Sequence, residues 1–190
     1  MSTYGKFKFF LFAAVFIFLY FTVTGKSFTV SASVSKSRTF NYNAKDVMSL
    51  IEDLTVFSRH FPNMISVTSL GNEKSEWVYE IDPPMASSFN VSFILYKKSP
   101  DDEQVVFESS KNDDNYFYCK AKFIPAGDER TVLSLYFKIR LTRESGSDIH
   151  FMAPLLGEKY ISDKMKKDLS EDTDTFLNRI KGELRKKYGK

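Results

Sequence analysis

Cysteine is nearly absent. Cys119 stands alone in 190 residues, which excludes an internal disulfide framework. Histidine is almost as scarce, with only His60 and His150, and neither an H-E-x-x-H pair nor a double C-x-x-C motif occurs, so the ligand set of a metal site is missing. The chain also lacks a G-x-S-x-G nucleophile turn and a glycine-rich phosphate loop. A net charge of +3 is too small to argue for a nucleic-acid partner. No catalytic residue, metal ligand, cofactor or nucleic-acid interface is therefore expected, and nothing names a protein partner.

Apolar and aromatic side chains are abundant. Hydrophobic residues make up 43% of the chain and aromatic residues 16%, with nineteen Phe against one Trp, enough to bury a single core lined by flat rings. Phe9 to Gly25 reads "FFLFAAVFIFLYFTVTG" without a charge. As a helix it would cover roughly 26 Å at about 1.5 Å per residue, enough for a bilayer core. Its length favours a retained single-pass anchor over a cleaved signal peptide, whose apolar region is shorter. Lysines flank it on both sides, so the positive-inside rule nearly cancels. The very short basic N-terminal tail favours an extracytoplasmic domain. Residues 1–26 are assigned to the anchor and 27–190 to one soluble domain.

Within that domain the hydrophobic period changes twice. Phe28 to Phe40 alternates, as a half-buried strand does. Asn43, a good N-cap, precedes a helical stripe of Val47, Leu50, Ile51 and Leu54, and a second short turn ends before Pro62. Six further strands are predicted at 64–70, 76–82, 88–98, 104–111, 116–124 and 131–143, joined by short turn-rich stretches that make neighbours pair as antiparallel hairpins. Phe89, Val91, Phe93 and Leu95, then Phe117, Cys119, Ala121 and Phe123, then Leu133 to Leu141 at every second position, give the sheet one apolar face. Lys120, Lys122, Lys138 and Arg140 make the other face wet. The segment 161–188 places Ile161, Met165, Leu169, Phe176, Ile180 and Leu184 on one stripe of a long amphipathic helix that covers the dry face.

This order resembles the START-like or helix-grip superfamily, which includes polyketide cyclase, coenzyme-Q-binding-type and pollen-allergen-like proteins. The resemblance is carried by "SVSKSRTFNYNAKDVMSLIEDLTVFSRHFPNMISVTSL" (Ser33–Leu70) leading to a turn at Gly71, and by "GDERTVLSLYFKIRL" (Gly127–Leu141). It covers residues 28 to 188, and the N-terminal apolar segment departs from the usual soluble members. The implied fold is α+β: a curved antiparallel sheet of about seven strands around a C-terminal helix, with two short helices after the first strand. Such a sheet leaves an apolar cavity suited to a hydrophobic ligand. Phe89, Phe93, Phe117, Leu135, Phe137, Met165, Leu169 and Phe176 are candidates for its wall, with His150, beside Asp148, at its opening.

The resulting expectation is a membrane-tethered, non-enzymatic protein that binds or transfers a lipid or isoprenoid. A cyclase/dehydrase-type enzyme is the alternative, and it would need ionisable groups among a lining that the apolar stripes leave almost without them. A tethered interaction domain with a filled core is the third reading. His60 in "FSRHFPNM" is read as a structural corner, because no orienting carboxylate is placed toward it.

Overall fold

The computed structural model describes residues 27–82, 88–149 and 152–189. The apolar run Phe9–Gly25 and His150 lie outside them. Among the described residues no helix is long and apolar enough to cross a membrane.

Seven antiparallel strands form one sheet in the order β1-β7-β6-β5-β4-β3-β2. They are β1 (Phe28–Phe40), β2 (Met64–Gly71), β3 (Lys74–Ile81), β4 (Phe89–Asp101), β5 (Gln104–Glu108), β6 (Asn115–Pro125) and β7 (Thr131–Arg143). Consecutive strands pair as hairpins, whereas β1 pairs along its whole length with β7, from Phe28 opposite Arg143 to Phe40 opposite Thr131. Alternation dictates which side is dry. Leu133, Leu135, Phe137, Ile139 and Leu141 are all buried, as are Phe117, Cys119, Ala121 and Phe123 on the neighbouring strand. Burial pushes the Cys119 thiol far above its ordinary pKa, so it packs as a small hydrophobe.

Two short helices follow β1. In α1 (Ala44–Ile51), the Asn43 side chain accepts from Asp46 N, and Val47, Leu50 and Ile51 face the core. Asp53 caps α2 (Leu54–His60) through Thr55 N. That helix ends where Phe61, held before Pro62, turns extended at φ −78°, ψ 121°, as a residue preceding proline must. Asn63 then takes φ 59°, a left-handed conformation that asparagine tolerates better than most residues. This turn aims the chain into β2.

Helix α3 (Ala153–Tyr188) crosses the dry face. It begins earlier than the predicted 161, with Pro154 in its first turn and a break at Gly157 (φ 78°); no apolar period marks that first segment. Ile161, Leu169, Phe176, Leu177, Ile180 and Leu184 are buried as the stripe requires. Strand β5 is shorter than predicted, because Ser109 turns its hydroxyl to Phe117 N (2.8 Å) and ends the regular ladder.

Phe57 sits at the centre of the core. Its ring lies 4.8 Å from that of Trp77, 5.8 Å from Phe107, 4.9 Å from Phe176 and 6.5 Å from Phe61. Helix α2 is thereby docked on both the sheet and α3. The packing leaves space at one end of the helix-sheet contact.

Candidate functional site

That space is a cleft of about 200 Å³ between α3 and the β2–β3 end of the sheet. Ile139, Met165 and Leu169 supply its apolar floor, and buried Tyr79 and Asp172, with exposed Asn63 beside them, its polar end. A narrow apolar void of about 20 Å³ continues past Ile81 and Met165 toward Phe89. A wider depression of about 370 Å³ lies on the outer face of the sheet among Tyr118, Tyr136, Lys120 and Lys138. It is shallow and open, and Tyr116 beside it is already engaged by Glu108 (3.0 Å) and the Arg140 guanidinium. The cleft is therefore the better candidate for enclosing a ligand.

Three elements converge on one carboxyl. Tyr79, on the inward face of β3, donates its hydroxyl to Asp172 Oδ2 at 2.5 Å, and Asn63 Nδ2 donates to the same oxygen at 3.0 Å. Asp172 is 8% exposed. Removal from water holds its carboxyl above the ordinary carboxylate range, although the two donors pull the other way. The same burial, with Asp172 beside it, drives the Tyr79 phenol far above its ordinary value. Both donors address Oδ2, and Oδ1 accepts no hydrogen bond from a described residue. The next residue, Thr173, is buried and donates to Leu169 O at 2.6 Å.

The candidate wall residues divide between core and cleft. Phe93, Phe117, Phe137 and Phe176 pack ring against ring in the core, as in Phe93–Phe117 at 5.2 Å and Phe117–Phe137 at 6.1 Å, and Leu135 is buried with them. Met165 and Leu169 line the cleft, and Phe89 lines the void beyond it. His150 is outside the described residues. Asp148 instead closes a capping box on Ser145 at the 3₁₀ turn Gly146–Asp148.

His60 lies outside the cleft lining. Its side chain is 12% exposed, its Nε2 is 3.7 Å from Glu183 Oε1 on α3, and that nitrogen is buried without a hydrogen bond. Desolvation lowers its pKa against the pull of Glu183. Glu52 pairs with Lys97 at 3.0 Å, so the carboxylate near His60 comes from α3. The residue of "FSRHFPNM" that reaches the cleft is Asn63. Among the described residues no group of His, Cys, Asp and Glu is placed to hold a metal ion.

No protein-family model matches the chain, and no curated protein matches it. Solved structures do. The ZhuI aromatase/cyclase from Streptomyces sp. R1128 superposes with a TM-score of 0.60 at 14% identity, covering 82% of this chain and 94% of that one. A START superfamily protein from Mycobacterium smegmatis gives 0.57 at 18% identity over 81% and 97%. The di-domain aromatase/cyclase StfQ of the steffimycin biosynthetic pathway gives 0.59 at 10% identity, over 85% of this chain and 53% of that one.

These neighbours correct the expectation of a non-enzymatic protein. Polyketide aromatase/cyclases are among the chains that share the architecture, so the fold gives no ground for excluding catalysis. The physical ground for that exclusion, a lining almost free of ionisable groups, also fails, because Tyr79 and Asp172 line the cleft. At this level of identity the likeness is one of fold. Seven antiparallel strands gripping a C-terminal helix and two short helices after the first strand are the START-like, helix-grip fold that these neighbours share.

Proposed function

We propose that the chain binds a hydrophobic ligand in the cleft beneath α3 and that Asp172 moves a proton on the ligand's polar end, in a cyclase- or dehydrase-type reaction. The observation that carries this reading is the convergence of Tyr79 Oη and Asn63 Nδ2 on Asp172 Oδ2. Two donors on one oxygen leave the acidic proton to the other. A protonated Asp172 therefore presents its O–H from Oδ1, where it can protonate a ligand carbonyl. The ionised form can take a proton from a carbon beside that carbonyl. A carboxyl raised toward neutrality is suited to both roles. The apolar floor of Ile139, Met165 and Leu169 suits a lipid or isoprenoid body. At about 200 Å³ the cleft is smaller than the roughly 300–1,000 Å³ of sites for drug-sized ligands, which favours a small ligand or one that projects outward.

Native mass spectrometry of the chain purified from its own membranes, followed by extraction, tests the reading. A hydrophobic compound is expected on the parent and is expected to be absent from Met165→Trp, whose indole would fill the cleft floor. A parent without bound compound, or a variant that keeps it, argues against the cleft as the site.

We propose also that the uncharged run Phe9–Gly25 tethers residues 27–190, as one ligand-binding domain, to the outer face of a membrane. The full chain is then expected to stay with the membrane pellet in alkaline carbonate. Release into the supernatant, or a mature N-terminus at Lys26 or Ser33, would end this proposal.

A further inference from the structure

The uncharged run Phe9–Gly25 stops just short of the sheet. Only Lys26 and Ser27 separate it from Phe28, the first residue of β1, and that stretch of chain reaches at most about 11 Å. A membrane that holds the run therefore lies close to one corner of the domain. The start of α3 is fastened to the same corner. Glu158 Oε1 accepts from Thr29 N at 2.8 Å, and Ser162 Oγ accepts from Ser31 N at 3.0 Å. The turn before α3 closes on it too, since a Cβ on Gly146 would stand 2.9 Å from the Phe28 ring. This corner carries the most exposed large apolar side chain among the described residues, Leu155 at 78%, beside exposed Pro154. Tyr160, across the break at Gly157, is half exposed. Leu156 packs against the core, so the segment is anchored while its neighbour Leu155 stands in solvent. A single exposed leucine is ordinary on a protein surface. One held beside the end of a long apolar run is placed to meet whatever that run meets.

We infer that the start of α3 docks into the bilayer that holds Phe9–Gly25, with Leu155 in the acyl layer and Tyr160 at headgroup depth. A leucine gains by leaving water for hydrocarbon, and a tyrosine ring, apolar with a polar tip, suits the interface. Two side chains would hold a free domain only weakly. The covalent connection through Lys26 and Ser27 turns their insertion into an intramolecular event at high effective concentration, so weak contacts suffice. Docking also orients the ligand site. The apolar void behind the cleft is lined by Val30, Ile149 and Ile161, which belong to the strand, turn and helix of this corner, so the apolar side of the site is brought toward the lipid.

The inference rests on the proposed tether, and full-length variants in phosphatidylcholine vesicles separate the two claims. Cys119 is fully buried, so a thiol-reactive, polarity-sensitive fluorophore labels an introduced cysteine alone. Leu155→Cys, Tyr160→Cys, Glu144→Cys and Ile124→Cys are labelled and reconstituted with and without lipids that carry a nitroxide quencher on the acyl chain. Glu144 is exposed and follows Arg143, the partner of Phe28, so it marks the same corner; Ile124 marks the opposite end of the sheet. Quenching at 155 is expected to exceed that at 144 and at 124 at least twofold. Adding Leu155→Glu to Tyr160→Cys should at least halve the quenching at 160. Quenching at 155 no greater than at 144, in chain that stays with the membrane in alkaline carbonate, overturns the docking and leaves the tether intact. A label at 155 that emits as if buried but is out of the quencher's reach means that a protein surface, such as a second copy, covers Leu155, and overturns it equally. Quenching at 160 that ignores Leu155→Glu also overturns it, because the leucine is then not the insertion point. Release of the chain by carbonate removes the tether, and the docking with it.

Discussion

Phe57→Ala is expected to destabilise the fold by about 3–5 kcal/mol, the range for emptying a packed aromatic position. Phe57 is fully buried, and its ring lies within 6.5 Å, centroid to centroid, of four others: Phe61 just past α2, Trp77 on β3, Phe107 on β5 and Phe176 on α3. Truncation would remove apolar burial and leave a void that three separately anchored elements cannot close. Trp77, the only tryptophan, stands 4.8 Å away and reports unfolding in urea directly. Leu155→Ala is the control: that side chain is 78% exposed, and its loss should stay within about 0.5 kcal/mol. Phe93 and Phe137 belong with Phe57, since both pack against Phe117 at core density and should each cost a comparable amount. A change below about 1 kcal/mol for Phe57→Ala would mean that the ring cluster is not the hub of the core.

The order of elements was legible because each leaves a periodic trace. Alternation over β1 and β7 and the 3.6-residue stripe on α3 are direct consequences of burying one face, and Asn43 and Pro62 mark a helix start and a helix stop by local chemistry alone. What failed were ends without such a trace. The first turn of α3 has no apolar period, and its path depends on Gly157 at φ 78°, where any other residue would be strained. The end of β5 depends on the Ser109 hydroxyl accepting from Phe117 N on the next strand, a cross-strand contact that leaves no mark on hydrophobic periodicity.

The site was harder to read, for a specific reason. The apolar stripe of α3 jumps from Leu169 to Phe176. Helical spacing puts Asp172 three residues after Leu169 and four before Phe176, on the buried face itself. An acid inside an apolar stripe is costly unless it is paired, and that interruption was the available signal. Tyr79 gave less. Its alternation with Trp77 and Ile81 placed it inside, but its hydroxyl partner lies 93 positions away. Asn63 stands three residues after His60, the more reactive residue type, yet it is the left-handed asparagine that forms the contact. The apolar positions alone give a lining free of acids, and the expectation of a binding protein without catalysis rests on them.

Asp172→Asn is expected to abolish most turnover while sparing the fold. The amide oxygen can still accept from Tyr79 and Asn63, but the side chain can no longer exchange a proton, and general acid–base catalysis contributes about 10²–10⁴-fold. The substrate is the compound recovered from the cleft. Stability should move in the opposite direction from activity. Burial raises the Asp172 pKa above its ordinary 3.8, so between the unfolded and folded values the native state holds the proton that the unfolded state has released. With more protons bound in the native state, stability falls as pH rises through that window and is lowest, for this group, above the folded value. Asp172→Asn removes the decline, so the variant should equal or exceed the parent in urea at neutral pH. Tyr79→Phe supplies the complementary test. The Tyr79 hydrogen bond holds the Asp172 pKa down, so removing it should move the inflection of the activity profile to higher pH. Retained turnover in Asp172→Asn, or an inflection that shifts downward in Tyr79→Phe, would remove Asp172 as the proton carrier. A variant that loses activity and neutral-pH stability together would make Asp172 a structural anchor of α3 instead.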